Sequence, residues 1–419
     1  MLVLLIACTD DGSGAAYPAA DLVLFSLDSR EHGTYDPREG EVVVEGTAEE
    51  GHDWALAATG GALFVGVPAV GEVRRFAMDG SDPAGGEREA SGTAIEDYGA
   101  ALAVRESDLV VGVPGARDGT TRVGAVEVAG GEALWIVGDV SEGRLGTVVA
   151  ACGDLDADGE VDLAASAPWE ADLEGAVQVW GRLSGKKGRR IAGSHAGERF
   201  GGSLACADVL GNDREALLVG APFAKGVTGT LGEGAVTVWD FSDPDSTVPR
   251  ATLFAPMEGD SGVLGSFGSA VAACRFSDSR PADIVVGAPT AEAGGGAVYV
   301  YSGGERMIDD ARADVSVMGA DAGGRLGSTL ACGDVDGDGL DELFVGAPGV
   351  NGADGTVEAG AVFVFTGLDA FTGTLRVDDA AWTFAAERSF LRTGAAFAVG
   401  DIDGDTLAEL VLLVRQRSR

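Results

Sequence analysis

One pattern returns seven times along this chain, and a sequence that repeats itself is committed to a repeat architecture before any local propensity is weighed. The clearest copies are RLGTVVAACGDLDADGEVDLAASAPWEADLEGAVQVW at 144–180 and RLGSTLACGDVDGDGLDELFVGAPGVNGADGTVEAGAVFVF at 325–365. Each reads as a short strand, an acidic turn, an apolar strand stopped by a small-small-Pro sequence, a variable loop and an alternating strand. The frame recurs at 199–239 and 266–301, and weaker copies occupy 52–68, 97–114 and 392–414.

Segments such as GAVYVY and GAVTVW alternate small or polar with large apolar residues, the period of a strand. No segment keeps a 3.6-residue apolar period through twelve residues, so helices find no support. The chain holds 67 glycines in 419 residues, over twice the usual share, as short strands joined by tight turns require. Each unit supplies four strands; in the third copy they fall near 145–151, 161–167, 175–181 and 188–193. Four-stranded sheets repeated radially make a propeller, which hides its edges by closing on itself. The seventh copy ends after its second strand, ELVLLV, while two strands without a unit, DLVLFSL (21–27) and EVVVEG (41–46), precede the first copy. The expectation is an all-β, seven-bladed β-propeller of four-stranded antiparallel blades over 21–419, with the N-terminal strands completing the C-terminal blade.

These residues resemble the FG-GAP repeat of integrin α-subunit propellers and of many bacterial surface proteins. The first element is Phe200-Gly201 and Phe267-Gly268, softened to Leu145-Gly146 and Leu326-Gly327; the second is Gly220-Ala221-Pro222, Gly287-Ala288-Pro289 and Gly346-Ala347-Pro348. The resemblance covers nearly the whole chain from about residue 21. It implies a calcium-stabilised, non-catalytic adhesion module that binds an extracellular protein or glycan on the face away from its calcium.

Three copies carry D-x-D-x-D-[GT]-x-x-[DE] between their first two strands: Asp154, Asp156, Asp158 and Asp162; Asp334, Asp336, Asp338 and Glu342; Asp401, Asp403, Asp405 and Glu409. Alternate residues of a tight loop converge on one point, and the seventh position adds a backbone carbonyl, from Glu160, Leu340 and Leu407. An all-oxygen set of this size and flexibility suits Ca2+ better than Mg2+. Gly159 and Gly339 stand where the turn needs positive φ; Thr406, at the same place in the third loop, is β-branched and ill suited to it. Two loops are therefore expected to bind calcium, with the third as a further site. In the fourth copy Asp208 and Asn212 survive, but Leu210 and Ala216 replace two ligands. In the fifth, Arg275 stands at the first ligand position opposite Asp283, where a guanidinium could substitute for the cation's charge.

Cys152, Cys206, Cys274 and Cys332 hold one place in four successive repeats. They are read as small apolar filling near the axis, because equivalent positions in neighbouring blades could lie beyond the roughly 7 Å a disulfide tolerates. The three histidines, His32, His52 and His195, have no matched nucleophile or zinc spacing. A net charge of −38 argues against nucleic acid and anionic membranes as partners. No run reaches the roughly 18 apolar residues of a membrane span. Leu5-Ile6-Ala7-Cys8 resembles a bacterial lipobox, which would make residues 1–8 a signal, Cys8 a lipidated anchor and 9–20 a flexible tether on an exported, monomeric protein. A polysaccharide lyase or hydrolase and a passive spacer remain as alternatives on the same scaffold.

Overall fold

The computed structural model describes residues 55–417 apart from 60, 78–86, 93–94, 106–107, 130–133, 182–186, 244–245, 257–264, 279–280, 305–311, 353–354 and 386–390; ahead of these it describes the strands 2–10, 20–26 and 41–42. Six blades of four antiparallel strands follow one another in sequence order, the fifth with an added parallel strand at its outer edge. Blade three is Val149–Ala151, Asp162–Ala167, Ala176–Gly181 and Lys187–Ala192, within a few residues of the ranges expected from its pattern. Blades one and two start at Ala55–Thr59 and Ala101–Arg105, and blades four, five and six at Ser203–Ala207, Ala270–Cys274 and Thr329–Gly333.

The expected seventh four-stranded blade is not what the structure contains. After blade six comes the hairpin Phe397–Gly400 and Glu409–Arg417. Its outer strand pairs in parallel with Leu2–Asp10, and Ala20–Ser26 and then Glu41–Val42 lie further out. The segment 21–27, expected beside ELVLLV, is thus displaced one position outward by residues read as a signal sequence. LVLLIA is as apolar as a buried strand, and an unpaired strand edge accepts whichever apolar strand reaches it. Residues 43–46 and 11–19, the rest of the expected closing strand and most of the tether, lie outside the described residues.

Among the described residues the apolar core is divided into layers between consecutive blades. Phe200, Leu217, Val219 and Trp239 join blades three and four; Ile284, Val286, Phe267 and Tyr301 pack against Leu218, Val236 and Val238 to join four and five. The last layer sets Phe344, Val362 and Phe384 of blade six against Phe397, Leu410 and Leu412. Each blade therefore depends on its neighbours, as in other repeat folds. Phe397–Gly400 lies between Thr329–Gly333 and Ala55–Thr59, and Gly61 N–H donates to the Asp401 carbonyl at 3.3 Å.

The glycines of the repeat have a steric cause. Gly268 holds φ +88°, and its N–H donates to the Gly287 carbonyl of its own blade at 3.0 Å. Its own carbonyl presses on blade four, where a Cβ on Gly220 would meet it at 2.2 Å. Only two facing glycines allow blades to approach so closely. A strand that was not foreseen, Gly373–Arg376 from the connection inside blade six, pairs in parallel with Val315–Met318 and covers the outer edge of blade five.

Candidate metal centres

The acidic turns link the first and second strands of blades three and six and of the terminal hairpin. In each, the carboxylates at the first, third and ninth positions meet: Asp154, Asp156 and Asp162; Asp334, Asp336 and Glu342; Asp401, Asp403 and Glu409, each offering one oxygen within 4.8 Å of the others. The ninth residue begins the second strand and is buried, whereas the third is exposed. A rigid strand thus holds one side of each cluster and a tight loop the other.

The loops are closed by their own backbone. Asp154 accepts from the N–H groups of Asp158 and Gly159 at 3.1 and 3.0 Å, and Asp334 from those of Gly337 and Gly339 at 2.7 and 2.9 Å. The fifth-position aspartates, Asp158, Asp338 and Asp405, stand outside the tight triads; each accepts the N–H of the seventh residue, Glu160, Leu340 or Leu407, at 2.8 Å. The ninth carboxylates accept the N–H groups of Leu155, Val335 and Ile402 at 2.8, 3.0 and 2.8 Å. Burial nevertheless pushes Asp162, Glu342 and Glu409 up to about 7 each, and the aspartates of the same loop push in the same direction. A cation among these oxygens would reverse that balance. The donor set is entirely hard oxygen, which fits calcium and excludes a thiolate or imidazole type of site.

Gly159 and Gly339 both adopt φ +89°, and Thr406 is forced to φ +79° at the same turn. A β-branched residue in that region is strained by about 1–3 kcal/mol. Replacing Thr406 with Gly is expected to stabilise the protein by about 1 kcal/mol despite the greater entropy of glycine, with a larger gain in calcium than in EDTA. Thermal melts of the two proteins side by side check it; a lower melting temperature in both conditions contradicts it.

A pH dependence follows from the three ninth carboxylates. Their unfolded values are about 4 and their folded, metal-free values about 7, so between these the folded state holds protons that the unfolded state has released. The metal-free protein therefore gains stability from these groups as pH falls from above 7 toward 4. Calcium requires the same groups ionised and loses ground over the same window. The difference in melting temperature between calcium and EDTA should narrow from about pH 8 to about pH 5.5. It should show no such narrowing in Asp162→Asn/Glu342→Gln/Glu409→Gln.

The degenerate turns are used differently. Asp208 closes its loop by accepting from Gly211, Asn212 and Asp213 N–H, and it belongs to no carboxylate triad among the described residues. Arg275 does not occupy its own loop as a substitute cation. It reaches into blade six, where its guanidinium donates to the Gly339 carbonyl and its backbone N–H to Asp341 Oδ2 at 2.6 Å. These turns also join the blades. The carbonyls of Asp208, Arg275 and Asp334 accept N–H groups of Ala282, Asp341 and Ala408 in the next unit at 3.0, 2.9 and 2.7 Å.

The cysteines are not mere filling. Cys152 is bonded to Cys206 and Cys274 to Cys332, with Cα atoms 5.4 and 5.6 Å apart. Inner strands converge toward the axis, so equivalent positions in adjacent blades come within disulfide range. Cys8 lies in Leu2–Asp10, opposite Ala20 and Arg415.

The opposite end of the blades carries the variable loops between second and third strands. These loops are hydrogen-bonded to the links entering the next blade: Phe200 N–H to Glu174 O at 3.0 Å, Phe267 to Glu233 at 3.1 Å, Leu326 to Gly295 at 2.9 Å. Acidic turns and variable loops therefore occupy opposite faces, as strand parity requires. No described helix is long and apolar enough to cross a membrane.

Residues 326–365 match the FG-GAP repeat. They include blade six's first three strands and its acidic turn. The chain is similar to phosphatidylinositol-glycan-specific phospholipase D of Bos taurus, 30% identical over 221 residues, covering 50% of this chain and 26% of the relative. It is also similar to integrin alpha-5 of Xenopus laevis, 28% identical over 238 residues (54% of this chain, 20% of the relative), and to integrin alpha-4 of the same species, 34% over 134 residues (30% and 13%). The chain thus spans about a quarter or less of the length of these curated relatives. The FG-GAP match and the integrin similarities accord with an all-β propeller of four-stranded blades.

Proposed function

We propose that this chain is a non-catalytic binding module, stabilised by calcium in its three acidic turns and displayed outside the cytoplasm. The observation that carries this reading is the recurrence of one carboxylate triad at one position in three units, on the face opposite the variable loops. Calcium would be held by Asp154, Asp156 and Asp162, by Asp334, Asp336 and Glu342, and by Asp401, Asp403 and Glu409, with Asp158, Asp338, Asp405 and the carbonyls of Glu160, Leu340 and Leu407 completing each shell. It would supply charge neutralisation and no chemistry of its own. Two disulfides favour an oxidising compartment.

The similarity runs to a phospholipase and to integrin α-chains over comparable stretches. Similarity to parts of proteins with such different names is better explained by a shared scaffold than by a reaction centre. We place the ligand face on the variable loops, at 169–175, 223–234, 290–296 and 349–360, since rigid scaffolds present binding residues on such loops. We further propose that Phe397–Gly400, wedged between blades six and one, closes a seven-membered ring of inner strands. Anchoring through a lipidated Cys8 belongs to the same reading; it would remove residues 1–7 from the terminal sheet, and intact-mass analysis of membrane-extracted protein tests it.

The function is tested on arrays of glycans and matrix proteins. Saturable capture in calcium is expected, lost when 223–234 and 349–360 are replaced by short Gly-Ser turns while calcium-dependent melting persists. Capture of nothing favours a spacer, and cleavage of an arrayed polysaccharide or hydrolysis of phospholipid favours an enzyme; either outcome overturns the reading.

A further inference from the structure

On the variable-loop face, at the seam of blades three and four, two arginines and two aromatic rings form a continuous stack. The Arg144 and Arg199 guanidinium carbons each lie 4.8 Å from the centre of the Trp169 ring, and Arg199 lies 4.9 Å from that of Phe223. The four residues come from four separate segments: the links entering blades three and four and the variable loops of those two blades. Arg144 and Arg199 hold positive φ of 55° and 51°, so the fold fixes where each side chain departs. Trp169 and Phe223 remain 37% exposed.

The arginines are also distinguished by what they lack. On the same face Arg392 is tied to Glu358 at 2.9 Å and Arg190 to Glu170, but neither Arg144 nor Arg199 has a carboxylate partner among the described residues. In a chain of net charge −38, two guanidiniums on one ring without a carboxylate partner among the described residues are conspicuous. A guanidinium stacked on a ring keeps its N–H edge free, and that edge is a planar fork matched to a carboxylate. The two guanidinium carbons are no further apart than twice 4.8 Å, close enough for one short ligand to meet both.

We infer that this stack binds a uronate-bearing oligosaccharide, with carboxylates on Arg144 and Arg199 and the apolar C–H face of a pyranose against Phe223. Val227 and Leu231 of the Phe223 loop are exposed as well. The field of the whole chain repels long polyanions, so the occupant is a short segment or a chain end. The inference rests on the variable-loop face being the binding face.

The test uses the intact chain in calcium with three probes: a short oligogalacturonate, a neutral manno-oligosaccharide and an oligoglutamate peptide. Calorimetry should give saturable binding for the first alone. Arg144→Gln/Arg199→Gln should weaken it about ten-fold or more, the size expected of lost charge-assisted forks. Arg144→Lys/Arg199→Lys should recover only part, because a point charge does not reproduce the fork. All variants should keep the calcium-dependent melting of the parent, which separates lost binding from lost fold. No binding of oligogalacturonate, undiminished binding by the Gln variant, or equal binding of oligoglutamate overturns the inference. Each of these leaves the array and loop-replacement result, and with it the proposed function, to stand or fall independently.

Discussion

Removing calcium is expected to lower the melting temperature by roughly 5 °C. A ligand bound only by the folded state adds RT ln(1 + [L]/Kd); at about 1 mM calcium and a Kd near 10⁻⁴ M, within the range of extracellular modules, that is about 1.4 kcal/mol per site. Three triads then contribute about 4 kcal/mol, which unfolding entropies of about 2 cal/mol/K per residue turn into a few degrees for a domain of this length. The mechanism is local. Without a cation each triad keeps three carboxyl groups within 4.8 Å of one another, one of them buried at the head of a strand. Because two of these turns also donate hydrogen bonds to the preceding unit, Asp341 N–H to the Arg275 carbonyl and Ala408 N–H to the Asp334 carbonyl, loosening them also loosens the seams between blades. Scanning calorimetry in 1 mM calcium against EDTA checks this, and superimposed traces would contradict it.

Loss of a disulfide is expected to cost about as much. Cys152–Cys206 and Cys274–Cys332 close loops of 54 and 58 residues, for which the chain-entropy treatment gives about 4 kcal/mol each. Cys152→Ser/Cys206→Ser should melt several degrees below the parent, and Cys274→Ser/Cys332→Ser likewise. The two losses should add closely, because the bonds join different blade pairs. Mass analysis with and without a reductant should show four thiols appearing on reduction beyond any contributed by Cys8. Four alkylatable thiols before reduction would remove both bonds from the account.

Much of this was legible in the sequence, for a definite reason. The strand pattern, the stop at Gly-Ala-Pro and the acidic turns are written within single repeats: Asp154 and Asp156, two apart in a tight turn, meet Asp162 at the head of the next strand, whereas alternation would also have brought in Asp158, which stands outside the triad. Parity of the strands likewise fixed which loops share a face. What could not be read depends on distances between repeats. Cys152 and Cys206 are neighbours only because inner strands converge on the axis, and no spacing along the chain encodes that radius. Arg275 aligns with a ligand position in its own turn, yet it serves the turn of the next blade through the Gly339 carbonyl. The terminal sheet failed for a related reason: the sequence pattern identified 21–27 as a strand, but the competition between it and the more apolar 2–10 for the Glu409–Arg417 edge is not a local property. Thr406 shows the converse, since the turn imposes positive φ on a residue that resists it.

The central claim is that the three turns are calcium sites, and counting the bound ions tests it most directly. Native mass spectrometry or calorimetric titration of EDTA-stripped protein should give three calcium ions per chain, falling to two in Asp336→Ala with the fold intact by circular dichroism. A count of zero at millimolar calcium, or an Asp336→Ala variant that binds as many ions as the parent, would contradict it.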